Sequence, residues 1–446
     1  MSTEQTNSSQ AGSRFASIGS AILDGYRTVN ALTHHALGFL LGLMVIAYFI
    51  FCTLFLSLRY VVLPNIDRYK AQVEQIATNA IGRQMTIGTI HASWSGLRPR
   101  LTLNNVAIYN KEGLQALSLP KVSATLSWWS VMVADLRLDT LEITRPDIDI
   151  DRDAQGRFYV AGVLIDPTGG GDGKGGDWVL AQREIVIRDG WIRWNDSLRN
   201  APELVLNDVD VVLHNHGRNH KFAFKARPPV EYAAPIDIRA DFDHPYFAGQ
   251  VSDIGLWAGT LYADWQDTDL AVWKPYFDYP FEVQSGTGSI RAWLRFDRAK
   301  VADFTADLTL ANVTTRLQKD LRILNLVRVN GRVSAREEFG VGPKEGLFSF
   351  GEHGHMIALT DFSMETNDGL TLPKTTIRQS YFPATEVAAE KMEVSATELD
   401  LHTLAKFIEH LPVPAGQRQI LADYAPRGRL KDFSAKWEGT DRKSVV

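Results

Sequence analysis

LRLDTLEITRPDIDIDRD, residues 136–153, takes wet and dry side chains in turn. Leu136 and Leu138, Leu141 and Ile143, and Ile148 and Ile150 are pairs spaced by two, with charged or hydroxyl residues between them. Side chains of an extended strand point alternately to opposite faces, so this spacing predicts strands with one apolar and one polar side. The same pattern recurs on either side of this stretch. RLTLNN places Leu101 and Leu103 on one face, EIVIRDG places Ile185 and Ile187, and PELVLNDVDVVLHN places Leu204 and Leu206. PIDIRADFDHP contributes Ile236 and Ile238, SIRAWLRFDR alternates likewise, and ADFTADLTLANV contributes Leu308 and Leu310. Clusters of Asn, Asp, Gly and Pro punctuate these runs, as turns between strands require. Between Met85 and about Asp400 helical spacing is nearly absent. The expected fold is mainly β: a long antiparallel sheet, wet on one side, with a few short helices.

Upstream, LGFLLGLMVIAYFIFCTLFLSL (Leu37–Leu58) carries no charge over 22 residues. At about 1.5 Å per residue such a helix spans the roughly 30 Å hydrocarbon core of a bilayer. It is too long for a cleaved signal peptide, and LRYVVLPN after it offers no small-residue cleavage site, so it reads as a retained transmembrane anchor. Arg14 and Arg27 precede it and Arg59, Arg68 and Lys70 follow, so local charge does not set its orientation. The only cysteine, Cys52, lies inside this segment, which rules out a disulfide within the chain.

Residues 1–13 are small and polar and are expected to be a disordered tail. Ile66, Tyr69, Val73, Ile76, Ala77 and Ala80 keep helical spacing up to Gly82, a plausible stop. DPTGGGDGKGGDW, Asp166–Trp178, holds six glycines in thirteen residues and is either a linker between domains or an insertion at a strand turn. LDLHTLAKFIEHLP returns to helical spacing until Pro412 and Pro414; GQRQILADYAP suggests a second helix and LKDFSAKWEG a final strand. Residues 441–446, DRKSVV, read as a non-native tail on a fragment whose continuation is missing.

The chain has 446 residues and a formal net charge of −5, which argues against a nucleic-acid partner. All 11 tryptophans lie beyond the anchor, so that region has large apolar groups to bury. No GxSxG elbow or HExxH motif occurs. GDGKGG follows Lys174 with Gly175 where a phosphate loop needs Ser or Thr. Asp149, Asp151 and Asp153 alternate as calcium ligands would, but Ala154 stands where such a loop needs glycine, so a wet strand face entering a turn explains them better. His214, His216 and His220, and the pair His353 and His355, are read as turn and strand residues before metal ligands. No catalytic residue, metal or cofactor is expected.

Each amphipathic strand has a dry face that needs cover. A second sheet would make a sandwich; an open trough covered by an apolar ligand is the alternative, and periodicity does not separate the two.

AIGRQMTIGTIHASWSGLRPRLTLNNVAIYN (80–110), LRLDTLEITRPDIDIDRDAQGRFYVAG (136–162), WVLAQREIVIRDGWIRWNDSLRNAPELVLNDVDVVLHNHGRNHKF (178–222) and HLPVPAGQRQILADYAPRGRLKDFSAKWEG (410–439) resemble, in this order, the AsmA-like proteins of Gram-negative envelopes, and the YhdP branch in particular. The resemblance implies a cytoplasmic tail (1–36), an inner-membrane helix (37–58) and a periplasmic region (59–440) whose sheet curls into a taco-like groove. It further implies that the groove conducts phospholipid from inner to outer membrane, with phospholipids, the inner membrane and other envelope proteins as partners. The sixteen apolar residues named above, from Leu101 to Leu310, are then the candidate lining of that groove. Two other readings remain: an anchored scaffold for envelope assembly that binds partners by strand addition, and a tethered enzyme, which would need convergent polar groups that the sequence does not display.

Overall fold

The computed structural model describes residues 35–110, 113–130, 135–165, 174–279, 281–298, 300–337, 354–384, 389–410, 415–424 and 426–439. The expectations for the N-terminal tail, for residues 441–446, for His353, for Leu411, Pro412 and Pro414, and for most of the glycine-rich segment fall outside them. The chain divides into two units, residues 1–69 and 70–446. In the first, α1 (residues 35–57) runs into a π turn at Leu58–Val62 and a 3-10 turn at Leu63–Tyr69. Its apolar window is unburied, and it belongs to a helix long and apolar enough to cross a membrane.

The second unit opens with α2 (Lys70–Ile81), closed by Gly82 at φ +73°. The strands follow: β1 (Met85–Ser95), β2 (Arg98–Tyr109), β3 (Gln115–Leu126), β4 (Leu138–Thr144), β5 (Asp147–Arg152), β6 (Phe158–Val160) and β7 (Val163–Ile165). After α3 (Lys174–Ala181) come β8 (Glu184–Asp196), β9 (Leu204–His216), β10 (Asn219–Arg227), β11 (Ile236–Asp243), β12 (Ala258–Asp269) and β13 (Glu282–Asp297). Then follow β14 (Lys300–Arg316), β15 (Leu324–Glu337), β16 (His355–Thr366), β17 (Thr371–Phe382) and β18 (Lys391–Asp400). Helices α4 (Leu401–Phe407) and α5 (Ala415–Tyr424) precede β19 (Arg429–Glu438).

The nineteen strands of the described residues belong to one sheet. Its rungs run β1, β2, β3, the β4/β5 pair, then β8 to β19 in turn, each antiparallel to the next with one exception. Strand β8 lies parallel to both β4 and β5 within this otherwise antiparallel sheet. A parallel pair needs a crossover rather than a tight turn. Hairpin β6–β7 and helix α3 lie on that crossover, so a helix begins inside the glycine-rich stretch that was expected to be a linker or a turn insertion.

A seam crosses the sheet. Asn105 in β2, Arg145 between β4 and β5, Asp189 in β8, Asp208 in β9, Asp267 in β12, Asn312 in β14, Asp361 in β16 and Asp432 in β19 all have φ between +48° and +54°. Beside them the ladder slips register between β8 and β9, β9 and β10, β12 and β13, β13 and β14, β15 and β16, and β16 and β17, and Gly288 and Gly331 in this region take φ of +150° and +142°. A Cβ on Gly331 would lie 2.6 Å from the Cα of Phe362, so only glycine fits that crossing. Asn and Asp tolerate the left-handed region better than other side chains, and a residue inserted this way bends a strand and raises its twist. Because the same event recurs from rung to rung, the sheet curls as a whole instead of kinking one strand.

The free edge of β1 is covered. Side chains one helical turn apart on α2 meet it: Lys70 Nζ donates to Gly88 O (3.0 Å), Glu74 Oε1 accepts from Ile87 N (2.7 Å) and Thr78 Oγ1 accepts from Met85 N (3.1 Å). An edge whose polar groups are occupied no longer templates another strand.

Candidate functional site

The registers place one residue of each rung in line. From β1 to β19 the row reads Ile90, Leu103, Val122, Ile143, Ile187, Val211, Phe224, Ile238, Ala263, Ala292, Ala306, Val333, Leu359, Ile377, Ala396, Phe433. Every member is apolar. The neighbouring row, Ala92, Leu101, Ala124, Leu141, Ile185, Leu213, Phe222, Ala240, Leu261, Leu294, Phe304, Ala335, Ile357, Gln379, Val394, Ala435, is interrupted once, by Gln379. Sixteen rungs at the usual 4.8 Å spacing make a stripe on the order of 70 Å along the ladder.

The opposite face is charged in register. Lys225, Asp237, Asp264, Arg291, Asp307 and Arg332 follow one another across β10 to β15. Arg332 Nε donates to Asp307 Oδ1 at 2.6 Å, and Arg239 forks onto Asp237 at 3.0 and 2.7 Å; both carboxyls are held below the usual range chiefly by these hydrogen bonds. Such a face belongs in water, so it offers the apolar rows no cover.

Among the described residues, the apolar face is covered in parts only. At the β1 end Ile90, Leu101, Leu103, Val122 and Ile185 are buried, in the region where α2 and α3 pack. Beyond the seam, Ile192, Leu204, Leu206, Val209, Ala226 and Ile236 form a core with Trp273 and Tyr276, and Ile148, Ile150 and Trp194 pack against it. The aromatics come from the β12–β13 connection, which acts as a strap: Trp273 Nε1 donates to Tyr232 O (3.3 Å), Tyr279 OH to Leu270 O (3.0 Å), and Arg199 of the β8–β9 turn pairs with Asp278. Further along, Phe407 of α4 closes a second core with Val313, Leu326, Val329 and Leu372. On the near side of the seam nothing comparable among the described residues lies over the rows from β9 onward. Val211, Phe222, Phe224, Ile238, Leu261, Leu294, Phe304, Val333, Leu359, Ile377 and Phe433 are only half-buried.

The candidates named from sequence therefore fall into groups. Leu101, Leu103, Leu141, Ile143, Ile185, Ile187 and Ile238 stand in the two rows; Leu138 joins their face because β4 bulges where Leu138 pairs with Leu126. Leu308 and Leu310 sit next to the rows in β14, with Leu310 packed against the second core. Ile148, Ile150, Leu204, Leu206 and Ile236 lie in the strap's core. Leu136 precedes β4, and its carbonyl accepts from Trp178 Nε1 (3.2 Å). Phe222, Phe224, Val333 and Leu359 were missed, though the alternation across FAF, RVS and IAL signals them; Ala263 and Ala292 were missed as well.

The aspartates and histidines that mimic ligand sets have other partners. Asp149 pairs with Arg193 Nε (2.6 Å), Asp151 accepts from Asn195 (3.1 Å), and Asp153 accepts from the amides of Gln155 and Arg157 within a turn. His214 lies near Glu184 on the wet face, while His220 is buried on the dry face, its Nδ1 2.6 Å from Asn215 Oδ1.

A helix long and apolar enough to cross a membrane, together with a one-sided sheet that carries a long apolar stripe, defines the class of protein. The family model described as YhdP protein matches residues 31–445, and the chain belongs to that family. No curated protein matches it.

Proposed function

We propose that the chain conducts phospholipid along its apolar rows, as the membrane-proximal part of a route between the inner and outer membranes of a Gram-negative envelope, with the sheet in the periplasm. The observation that carries this reading is the row of sixteen apolar residues, one per rung without a gap, over which no second sheet lies among the described residues. Exposing a lipid tail to water costs about 0.8 kcal/mol per methylene, so a chain of about fifteen faces on the order of 12 kcal/mol. A continuous apolar floor offsets most of that at every step, and headgroups ride at the open side. No bond is made or broken, so the function requires no catalytic group.

The rows and the strap together specify the path. Photo-crosslinkers at Ile238 and Leu359 are expected to trap phospholipid, those at Asp237 on the wet face and at Ile150 under the strap to trap little. Equal labelling at all four, or none at Ile238, overturns the proposal. An anchored scaffold predicts the second outcome.

A further inference from the structure

Helix α3 gathers two loops at the same end of the strands. From the β3–β4 loop, Leu136 O accepts from Trp178 Nε1 (3.2 Å), and Leu138 N donates to the buried Gln182 Oε1 (2.7 Å) just past the helix. From the β11–β12 loop, Ser252 N donates to Asp177 Oδ1 (2.7 Å), and Gly176 lies so close that a Cβ there would stand 2.7 Å from Ser252 Cβ. Both loops are firmly based. The second is further held by Trp257 stacked on Phe242 (4.2 Å between rings) and by Arg218 Nε donating to His244 O (2.7 Å).

Aromatic side chains of both loops are exposed. Phe247 is 99% exposed, Tyr246 78% and Trp129, in the first loop, 65%. Arg218 lies 3.9 Å over the Tyr246 ring, which brings a guanidinium to the tip. Rigid bases holding exposed Trp, Tyr and Phe beside an arginine have the composition of a membrane interface. There the ring bodies sit at the headgroup level and the cation meets phosphate. A bilayer is the occupant that the chain itself brings. The anchor ends at Leu58, α2 starts twelve residues later at Lys70, and α2 packs on α3, which holds both loops.

We infer that the Trp129 and Tyr246–Phe247 tips dock on the surface of the bilayer that holds the anchor, with Arg218 at lipid phosphate. The site is separate from the apolar rows and does not depend on their conducting lipid.

The test uses the full chain in nanodiscs of phosphatidylethanolamine and phosphatidylglycerol. With Cys52→Ser as background, single cysteines replace Trp129, Phe247 or Val230, and each carries an environment-sensitive fluorophore. Val230 is 89% exposed at the opposite strand end and serves as the control. Labels at 129 and 247 are expected to shift to the blue and to lose at least half their emission to nitroxide lipids, while the label at 230 keeps its emission. Arg218→Gln is expected to reduce the quenching at 247. Aqueous emission at 129 and 247, equal quenching at 230, or concentration-dependent 247–247 cross-linking that marks a second copy overturns the inference.

Discussion

Asp361 holds a φ of +51° inside β16, a conformation that costs a β-branched residue roughly 1–2 kcal/mol. Asp361→Val is therefore expected to destabilise by about that amount and Asp361→Gly by less, measured by urea unfolding of the full chain in micelles; equal losses would remove the seam's conformational explanation. The seam was legible as a change of parity. Leu101 and Leu103 give way to Val106 and Ile108 across Asn105, and Leu141 and Ile143 to Ile148 and Ile150 across Arg145. Strict alternation turns the later pairs to the wet side, and the left-handed residue returns them to the dry one. His220 was legible only as one histidine among three. Burial drives its pKa down to about 4, with His244 adding to the effect and Asp243 opposing it. An unfolded chain would bind that proton near 6.5, so the stabilisation from neutral His220 is complete above about pH 6.5 and is lost progressively toward pH 4. The loss is expected to approach a few kcal/mol. His220→Phe is expected to lower stability at pH 7, since Asn215 Oδ1 then lacks its partner, but to flatten the slope between pH 6.5 and 4. An unchanged slope assigns it to other groups.

At the scale of elements, period-2 runs announced the strands because side-chain direction is a local property. Helix α2 and the helix at α4 were legible for the same reason at period 3.6. What covers the dry face was not. The strap, DLAVWKPYFDYPFEV, has no period, because its aromatics meet residues roughly 40 to 130 positions upstream and its conformation answers to those contacts. Helix α3 hid in a glycine-rich run, since Gly176 serves a close approach to Ser252 that no local pattern records. Trp273→Ala tests the strap. Removing a buried tryptophan costs roughly 3–5 kcal/mol, and here it should also unseal the floor. A crosslinker at Ile150, expected to be silent in the parent chain, should label lipid in the Trp273→Ala background if that chain still folds. Silence in both backgrounds would mean that the far side of the seam stays closed without the strap.

For the whole molecule, one-sidedness could be read from sequence, whereas the open face could not, because a sandwich and a trough share one alternating pattern. The registers add a property that no single strand possesses. On the proposed route the rungs are in series, and a lipid crossing β14 must already have crossed the rungs on one side of it. Ala263, Ala292, Ala306 and Ala396 punctuate the unbroken row, and a glutamate at any of them puts a carboxylate in the apolar path. A barrier of about 3 kcal/mol slows passage by roughly a hundredfold. Ala263→Glu and Ala306→Glu are each expected to cut lipid transfer by the protein to that extent. The double variant should fall little further if either block alone already limits the flow. Crosslinkers at Ile238 and Ile377 lie on opposite sides of both blocks, so loading from one end predicts that one keeps its lipid while the other loses it. Independent binding sites strung along a scaffold predict the reverse pattern. Each glutamate would then erase only its neighbours' signal, and the two losses would multiply.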